Sequence, residues 1–217
     1  MKFKNKSIQV ACDGGAATGK STAAKLISRK YNLKFLSSGL LYRYVSYLIL
    51  KNKPKNKISF IEKKFKKLQI KNLNRINLHS AEISEHSSII AKNIKIRKIL
   101  KKFQINFSKN NNCCIEGRDI ATKILPNSDL KFFFRCSLDI ASKRRFNELK
   151  KYNRSLKLND VKKALKKRNF SDTKRKNSPL LKHRDSIVID TGKINKLAMV
   201  KKMSFYVEKV IKQKYDQ

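Results

Sequence analysis

The stretch Cys12-Asp13-Gly14-Gly15-Ala16-Ala17-Thr18-Gly19-Lys20-Ser21-Thr22 follows a short apolar run, Ser7 to Ala11, and opens a helical pattern that continues to Tyr31. Gly14 and Gly19 with Lys20 and Ser21 fit the spacing G-x-x-x-x-G-K-[ST], in the strand, loop and helix context that this motif requires. The reason such a loop holds phosphate lies in its backbone. Glycines let successive N–H groups turn inward around an anion, and the helix that follows adds the positive end of its dipole. Gly14, Gly15, Ala16, Ala17, Thr18, Gly19, Lys20, Ser21 and Thr22 are therefore the candidate cradle for a nucleoside triphosphate. Lys20 is placed to reach its β- and γ-phosphates, and the Ser21 hydroxyl to ligate Mg²⁺. The chain has six glycines, and three of them stand in this one loop.

Outward from the loop, short apolar runs alternate with helical patterns. Ser7 to Cys12, Lys34 to Leu36, Cys113 to Glu116, Leu130 to Phe134 and Ile187 to Ile189 read as strands. Ser21 to Tyr31, Leu40 to Leu50, Ile94 to Phe107, Leu138 to Leu149, Asn159 to Phe170 and a last segment from Ile194 to Ile211 read as helices. Short buried strands separated by helices predict an α/β fold with a parallel sheet of about five strands covered on both faces. Residues 51–81 break the rhythm with Pro54 and a lysine-rich run. They are expected to form an insertion, partly β, with a short hairpin in Leu68 to Leu78. The polar stretch Lys150 to Leu158 joins two basic helices and is a candidate lid over a phosphate site. The whole chain is expected to be one domain, with core segments 1–37, 108–146 and 171–217, an insertion at 38–107 and a lid at 147–170.

Composition narrows the functional classes. With 54 Lys and Arg against 15 Asp and Glu the formal charge is +39, a field that attracts any polyanion. The basic residues are spread along the chain and not gathered in a tail or stripe. That spread points to compositional drift and to no specific nucleic-acid partner. Cys12, Cys113, Cys114 and Cys136 form no C-x-x-C pair and read as small core residues of a reducing compartment. No run approaches the about 18 apolar residues that span a membrane. A soluble, cytoplasmic and monomeric protein is the expectation.

The remaining glycines, Gly39, Gly117 and Gly192, each stand beside an expected strand or helix end, where backbone geometry can demand them. Arginine is similarly selective. In a chain that uses lysine for most basic positions, Arg43, Arg97, Arg118, Arg144, Arg145, Arg168 and Arg175 are candidate phosphate ligands, because only a planar guanidinium grips two oxygens at once.

Asp13 to Thr22, Ser37-Ser38-Gly39-Leu40-Leu41-Tyr42-Arg43, Glu116-Gly117-Arg118-Asp119-Ile120-Ala121-Thr122 with Pro126, the pair Arg144-Arg145, Arg168 through Asp172 to Arg175 with Pro179-Leu180, and Ile187 to Thr191 together resemble the bacterial cytidylate kinases. The resemblance runs over nearly the whole chain in order. It implies an adenylate-kinase-like P-loop fold with a monophosphate-binding insertion and a lid. The implied reaction is transfer of the γ-phosphoryl group of ATP to CMP or dCMP, assisted by Mg²⁺. It further implies Ser38, Arg43, Ser88, Arg97, Arg118, Asp119, Arg168, Asp172 and Arg175 as monophosphate-site residues, with Lys20, Arg118, Arg168, Arg175 and Arg145 (or its neighbour Arg144) acting in catalysis. The chemistry agrees, because an ionised phosphate acceptor needs no general base, only two polyanions held in line with their charge neutralised. The chain also departs from the family pattern. Ser37 stands where an Asp is usual, Gly15 where a Pro is frequent, Asn169 and Ser171 soften an Asp- and Arg-rich stretch, and residues 51–81 are shorter and more basic than the usual insertion. Two other readings remain open from sequence: another small P-loop kinase, with a different nucleotide or a shikimate-like acceptor, and a basic nucleic-acid-binding protein with a vestigial loop.

Overall fold

In the computed structural model, which describes residues 7–151 and 154–215, the strands are β1 (Gln9–Gly14), β2 (Lys34–Ser37), β3 (Cys113–Gly117), β4 (Leu130–Arg135) and β5 (Ile187–Asp190). The helices are α1 (Lys20–Lys30), α2 (Ser38–Asn52), α3 (Lys57–Lys66), α4 (Ala81–Ile90), α5 (Ile94–Lys109), α6 (Leu138–Lys150), α7 (Leu158–Lys174) and α8 (Lys196–Tyr215). The strands form one sheet in the order β2-β3-β1-β4-β5. β1 pairs in parallel with β3 and β4, and β4 with β5. The α/β class and five strands read from the sequence are thus what the chain adopts. Two compact units emerge, one of residues 1–35 with 111–217 and one of Leu36–Asn110.

The first unit is built on β1. Val10 and Cys12 bury one face against Ala23, Ala24 and Ile27 of α1 and Met199, Met203 and Val207 of α8, with Phe132 and Phe134 of β4 beside them. Strands with apolar middles on both sides are what a sheet covered on both faces demands. The register matters for function. Asp13 lies opposite Gly117 and Gly14 opposite Phe134, while Arg135 lies opposite Asp190. The C-terminal ends of β1, β3, β4 and β5 therefore finish side by side, with β1 at the point where the strand order reverses, the place where open α/β sheets bind ligands. Cys12, Cys113 and Cys114 are buried, and burial pushes the Cys113 thiol up to about 12. These cysteines act as core residues, as expected.

The second unit corrects the sequence reading. Residues 51–81 hold no strand among the described residues. They form α3, a 3₁₀ turn at Ile70–Arg75 and the start of α4. The Asn56 side chain caps α3 by accepting from Ser59 N at 3.1 Å, and Ser80 caps α4 by accepting from Ile83 N at 3.2 Å. Ile61 and Phe65, one helical turn apart, are the buried face of α3, and Phe65 meets Phe103 of α5 edge-on at 5.5 Å. The alternating run Leu68 to Leu78 imitates a strand, yet its buried members Leu73 and Leu78 lie in the turn and the irregular segment after it. The Ser37 hydroxyl accepts from Leu40 N at 3.2 Å and caps α2 without adding a charge there. Of the lid expected at 147–170, the helical ends belong to α6 and α7, and 152–153 lie outside the described residues.

Candidate active site

Two glycines of the phosphate loop are required by geometry. A Cβ on Gly14 would come within 2.4 Å of the Phe134 carbonyl oxygen, and Gly19, which precedes α1, sits in the left-handed region at φ 82°. Gly39 has no such constraint. It lies inside α2, and a side chain there would meet only ordinary contact. The loop is laced internally, with Thr18 Oγ1 donating to Gly15 O at 3.0 Å and Lys20 Nζ donating to the same oxygen at 3.2 Å. Thr191, just past β5, donates its hydroxyl to Thr18 O at 2.8 Å. The Arg144 guanidinium in turn donates to Thr191 Oγ1 at 2.9 Å and to Thr191 O at 2.8 Å. Of the two adjacent arginines on α6, Arg144 therefore faces the loop, whereas Arg145 is paired with Glu148 at 2.8 Å. Sequence gave no means of choosing between them.

Lys20 is buried, and its Nζ lies 3.6 Å from Glu116 Oε2 at the end of β3. Burial lowers its pKa to about 8, and the nearby Arg118 and Arg168 push in the same direction. A crowd of cations whose mutual repulsion is incompletely offset by carboxylates is what an incoming polyphosphate relieves. Beyond β3, Arg118 Nε donates to Asp172 Oδ2 at 2.9 Å, and Arg175 NH1 donates to Asp172 Oδ1 at 3.4 Å. Arg175 NH2 lies 3.7 Å from Asp119 Oδ1. Burial raises the Asp172 pKa, but Arg118, Arg168 and Arg175 outweigh it and hold the carboxyl below its usual range. One carboxylate thus organises the guanidinium that follows β3 and the one that caps α7. Among the residues expected from sequence, the first unit brings Lys20, Arg118, Asp119, Arg168, Asp172 and Arg175 into one charged group.

Sequence reading missed what holds this group in place. Asp13, at the end of β1, accepts from Ile120 N at 2.9 Å and Ala121 N at 2.7 Å, so the wide turn Ile120–Ile124 after Asp119 hangs from the start of the phosphate loop. Burial raises the Asp13 pKa to about 7, against the opposing pull of those two N–H groups. The folded pKa exceeds the unfolded one, so the folded state holds the extra proton between about pH 4 and pH 7. The stability this gives is complete at low pH and lost as pH rises through about 7. Between pH 5 and pH 8 this group should cost the wild type about 2 to 3 kcal/mol. Denaturant unfolding at both pH values should show that slope in wild type and a shallower one in Asp13→Asn, even though the variant starts less stable because one N–H loses its acceptor. Equal slopes would refute the assignment.

The second unit holds the other expected residues. Arg43 on α2 donates to Leu78 O at 3.0 Å. Arg97 on α5 is buried, donates to Ala91 O at 3.1 Å, and lies 5.6 Å from the centre of the Tyr42 ring. Ser38 is buried in the first turn of α2, and Ser88 on α4 reaches Ser84 O at 3.4 Å.

The family model described as cytidylate kinase matches residues 10–209. A cytidylate kinase from Clostridium botulinum is 34% identical over 214 residues, covering 93% of this chain and 98% of its own. The chain belongs to the cytidylate kinase family. Another cytidylate kinase, from Fusobacterium nucleatum, is 32% identical, with 94% and 99% of the two chains covered. Among solved structures, an uncharacterized protein from Eubacterium ventriosum superposes with a TM-score of 0.57 at 18% identity, over 94% of this chain and 99% of that one. A shikimate kinase from Bacteroides thetaiotaomicron reaches 0.51 at 11% identity, over 93% and 98%. At such identity these two show likeness of fold alone. Gly15 and Asn169 leave each other little room: a Cβ on Gly15 would lie 3.4 Å from Asn169 Oδ1.

Proposed function

We propose that the protein transfers the γ-phosphoryl group of ATP to CMP or dCMP, giving ADP and the corresponding diphosphate. The observation that carries this reading is the linked group Arg118–Asp172–Arg175–Asp119 beside the buried Lys20 and the phosphate loop. The acceptor phosphate is already an oxyanion, so the group has only to bind, align and neutralise. Lys20 and the N–H groups of Gly15 to Thr22 take the triphosphate. Arg118, Arg168 and Arg175 grip the transferred and acceptor phosphates, with Arg144 or Arg145 added from α6. In the second unit, Ser38, Arg43, Ser88 and Arg97 serve the monophosphate, and residues 38–107 form the monophosphate-binding insertion. Residues 147–170 are the lid.

The residues also fit Mg²⁺. Among the described residues no cluster of three or more His, Cys, Asp or Glu could hold a metal by itself. Mg²⁺ in kinases takes few protein oxygens and completes its shell with phosphate and water, so the Ser21 hydroxyl at the start of α1 is the ligand offered, with the Glu116 carboxylate 3.6 Å from the neighbouring Lys20 Nζ. When bound, the ion supplies neutralisation of the β- and γ-phosphate oxygens. The reading is completed by a monomer acting in the cytoplasm on small molecules, with no specific nucleic-acid partner. Among the described residues no helix is long and apolar enough to cross a membrane, and all four cysteines are free thiols.

A coupled assay for ADP with ATP, Mg²⁺ and a panel of acceptors tests the proposal. CMP or dCMP should drive ADP formation, while UMP, AMP and shikimate should not, and Lys20→Ala should fall to near background. ADP formation driven by a different acceptor, or undiminished in Lys20→Ala, would overturn it.

A further inference from the structure

The phosphate loop is braced from the side by α6 and α7. Ala16 is buried in a small apolar cluster with Ala141 of α6 and Val161 and Leu165 of α7, and Ala17, Phe146 and Leu156 pack against it. Ala17 is held at φ 56°, a left-handed conformation that costs a non-glycine residue of order 1 kcal/mol and that persists only where surroundings impose it. One turn beyond Leu165, Asn169 Oδ1 accepts the backbone N–H of Ala16 at 3.2 Å. Its amide nitrogen lies 3.7 Å from the position a Cβ on Gly15 would take. The next residues along this same helix are Asp172 and, at its C-terminal cap, Arg175, with Arg168 immediately before Asn169.

We propose that Asn169 is a positioning residue, which locks the phosphate loop to the helix carrying Arg168, Asp172 and Arg175 through the Ala16 N–H. It touches no reacting atom. The apolar cluster supplies contact without direction, since Ala16 and Leu165 can slide over one another. A hydrogen bond to a loop amide fixes the register between the loop and α7. That register sets how the guanidiniums stand relative to whatever the loop holds, and small misplacements of such groups are costly. The acceptor oxygen is what matters, so aspartate can replace asparagine and alanine cannot. This role rests on the phosphoryl-transfer reading above, and its test includes a measurement that does not.

Three proteins, wild type, Asn169→Ala and Asn169→Asp, are compared by hydrogen exchange of the peptide containing Ala16, by steady-state kinetics with ATP and CMP, and by melting temperature. In Asn169→Ala, exchange at the loop should quicken about ten-fold and kcat should fall by a similar factor, with KM for CMP little changed and melting close to wild type. Asn169→Asp should recover protection of the loop and most of kcat. The proposal fails if loop exchange in Asn169→Ala equals that of wild type, or if Asn169→Asp is as exposed and as slow as Asn169→Ala. It fails too if the only effect of Asn169→Ala is a lower melting temperature. Should wild type phosphorylate neither CMP nor dCMP, the functional reading falls, and the exchange comparison alone still decides whether Asn169 locks the loop.

Discussion

Replacing Arg118 or Arg175 by alanine is expected to lower kcat for phosphoryl transfer by about 10³- to 10⁵-fold while leaving a folded protein. Both side chains are held, Arg118 through Asp172 and the Gly117 carbonyl, Arg175 through Asp172, Asp119 and the Ser178 carbonyl. A guanidinium fixed by carboxylates before substrate arrives loses little freedom on gripping phosphate and does not reorganise as charge develops. The loss should therefore appear in kcat and not only in KM. Some stability should go as well, because Asp172 is largely buried and each arginine removed leaves it less compensated. Kinetics measured well below the melting point of each variant separate the two effects. Arg118→Lys discriminates further. It restores the charge without the fork, so activity between that of alanine and wild type identifies bidentate geometry as part of the contribution. Near wild-type kcat in either alanine variant would remove that residue from the proposed role.

What the sequence disclosed about this chain followed the range of the interactions concerned. The loop Gly14 to Thr22 and the five apolar runs are local patterns, and the structure has a strand or turn at each, within a residue or two of the expected ends. The helical identity of 57–66 was also locally encoded, in the Asn56 cap and the Ile61–Phe65 spacing. It was masked by the lysines around it and by the alternation of Leu68 to Leu78, which reads as a strand when burial is unknown. The wide turn after Asp119 depends on Asp13, 107 and 108 residues away from its two donors, and the Asn169 contact with Ala16 spans 153. No periodicity carries information over such distances. Asn169 did stand out as a departure from an acidic pattern, but only the fold shows that its oxygen meets a loop amide.

The second large effect expected concerns the base. Cytosine presents an amino group at N4 beside acceptors at N3 and O2, whereas uracil presents a carbonyl at O4 and a donor at N3. The carboxylate of the first unit matches the amino group of cytosine. Asp119 has about four lone-pair sites, of which Arg175 occupies a part. It can accept from N4–H₂. Asp119 is buried, so opposite uracil it would face a carbonyl oxygen with no proton between them, and a buried acceptor left without its donor is heavily penalised. Discrimination built on such mispairing reaches about 10⁴ in kcat/KM. Asp119→Asn tests the source of the preference. It loses the charge that holds Arg175 and turns one oxygen into a donor, so CMP turnover should fall steeply while UMP turnover holds or rises, and the ratio should collapse. Comparable kcat/KM for CMP and UMP in the wild type, or a ratio untouched by Asp119→Asn, would show that this carboxylate does not read the base.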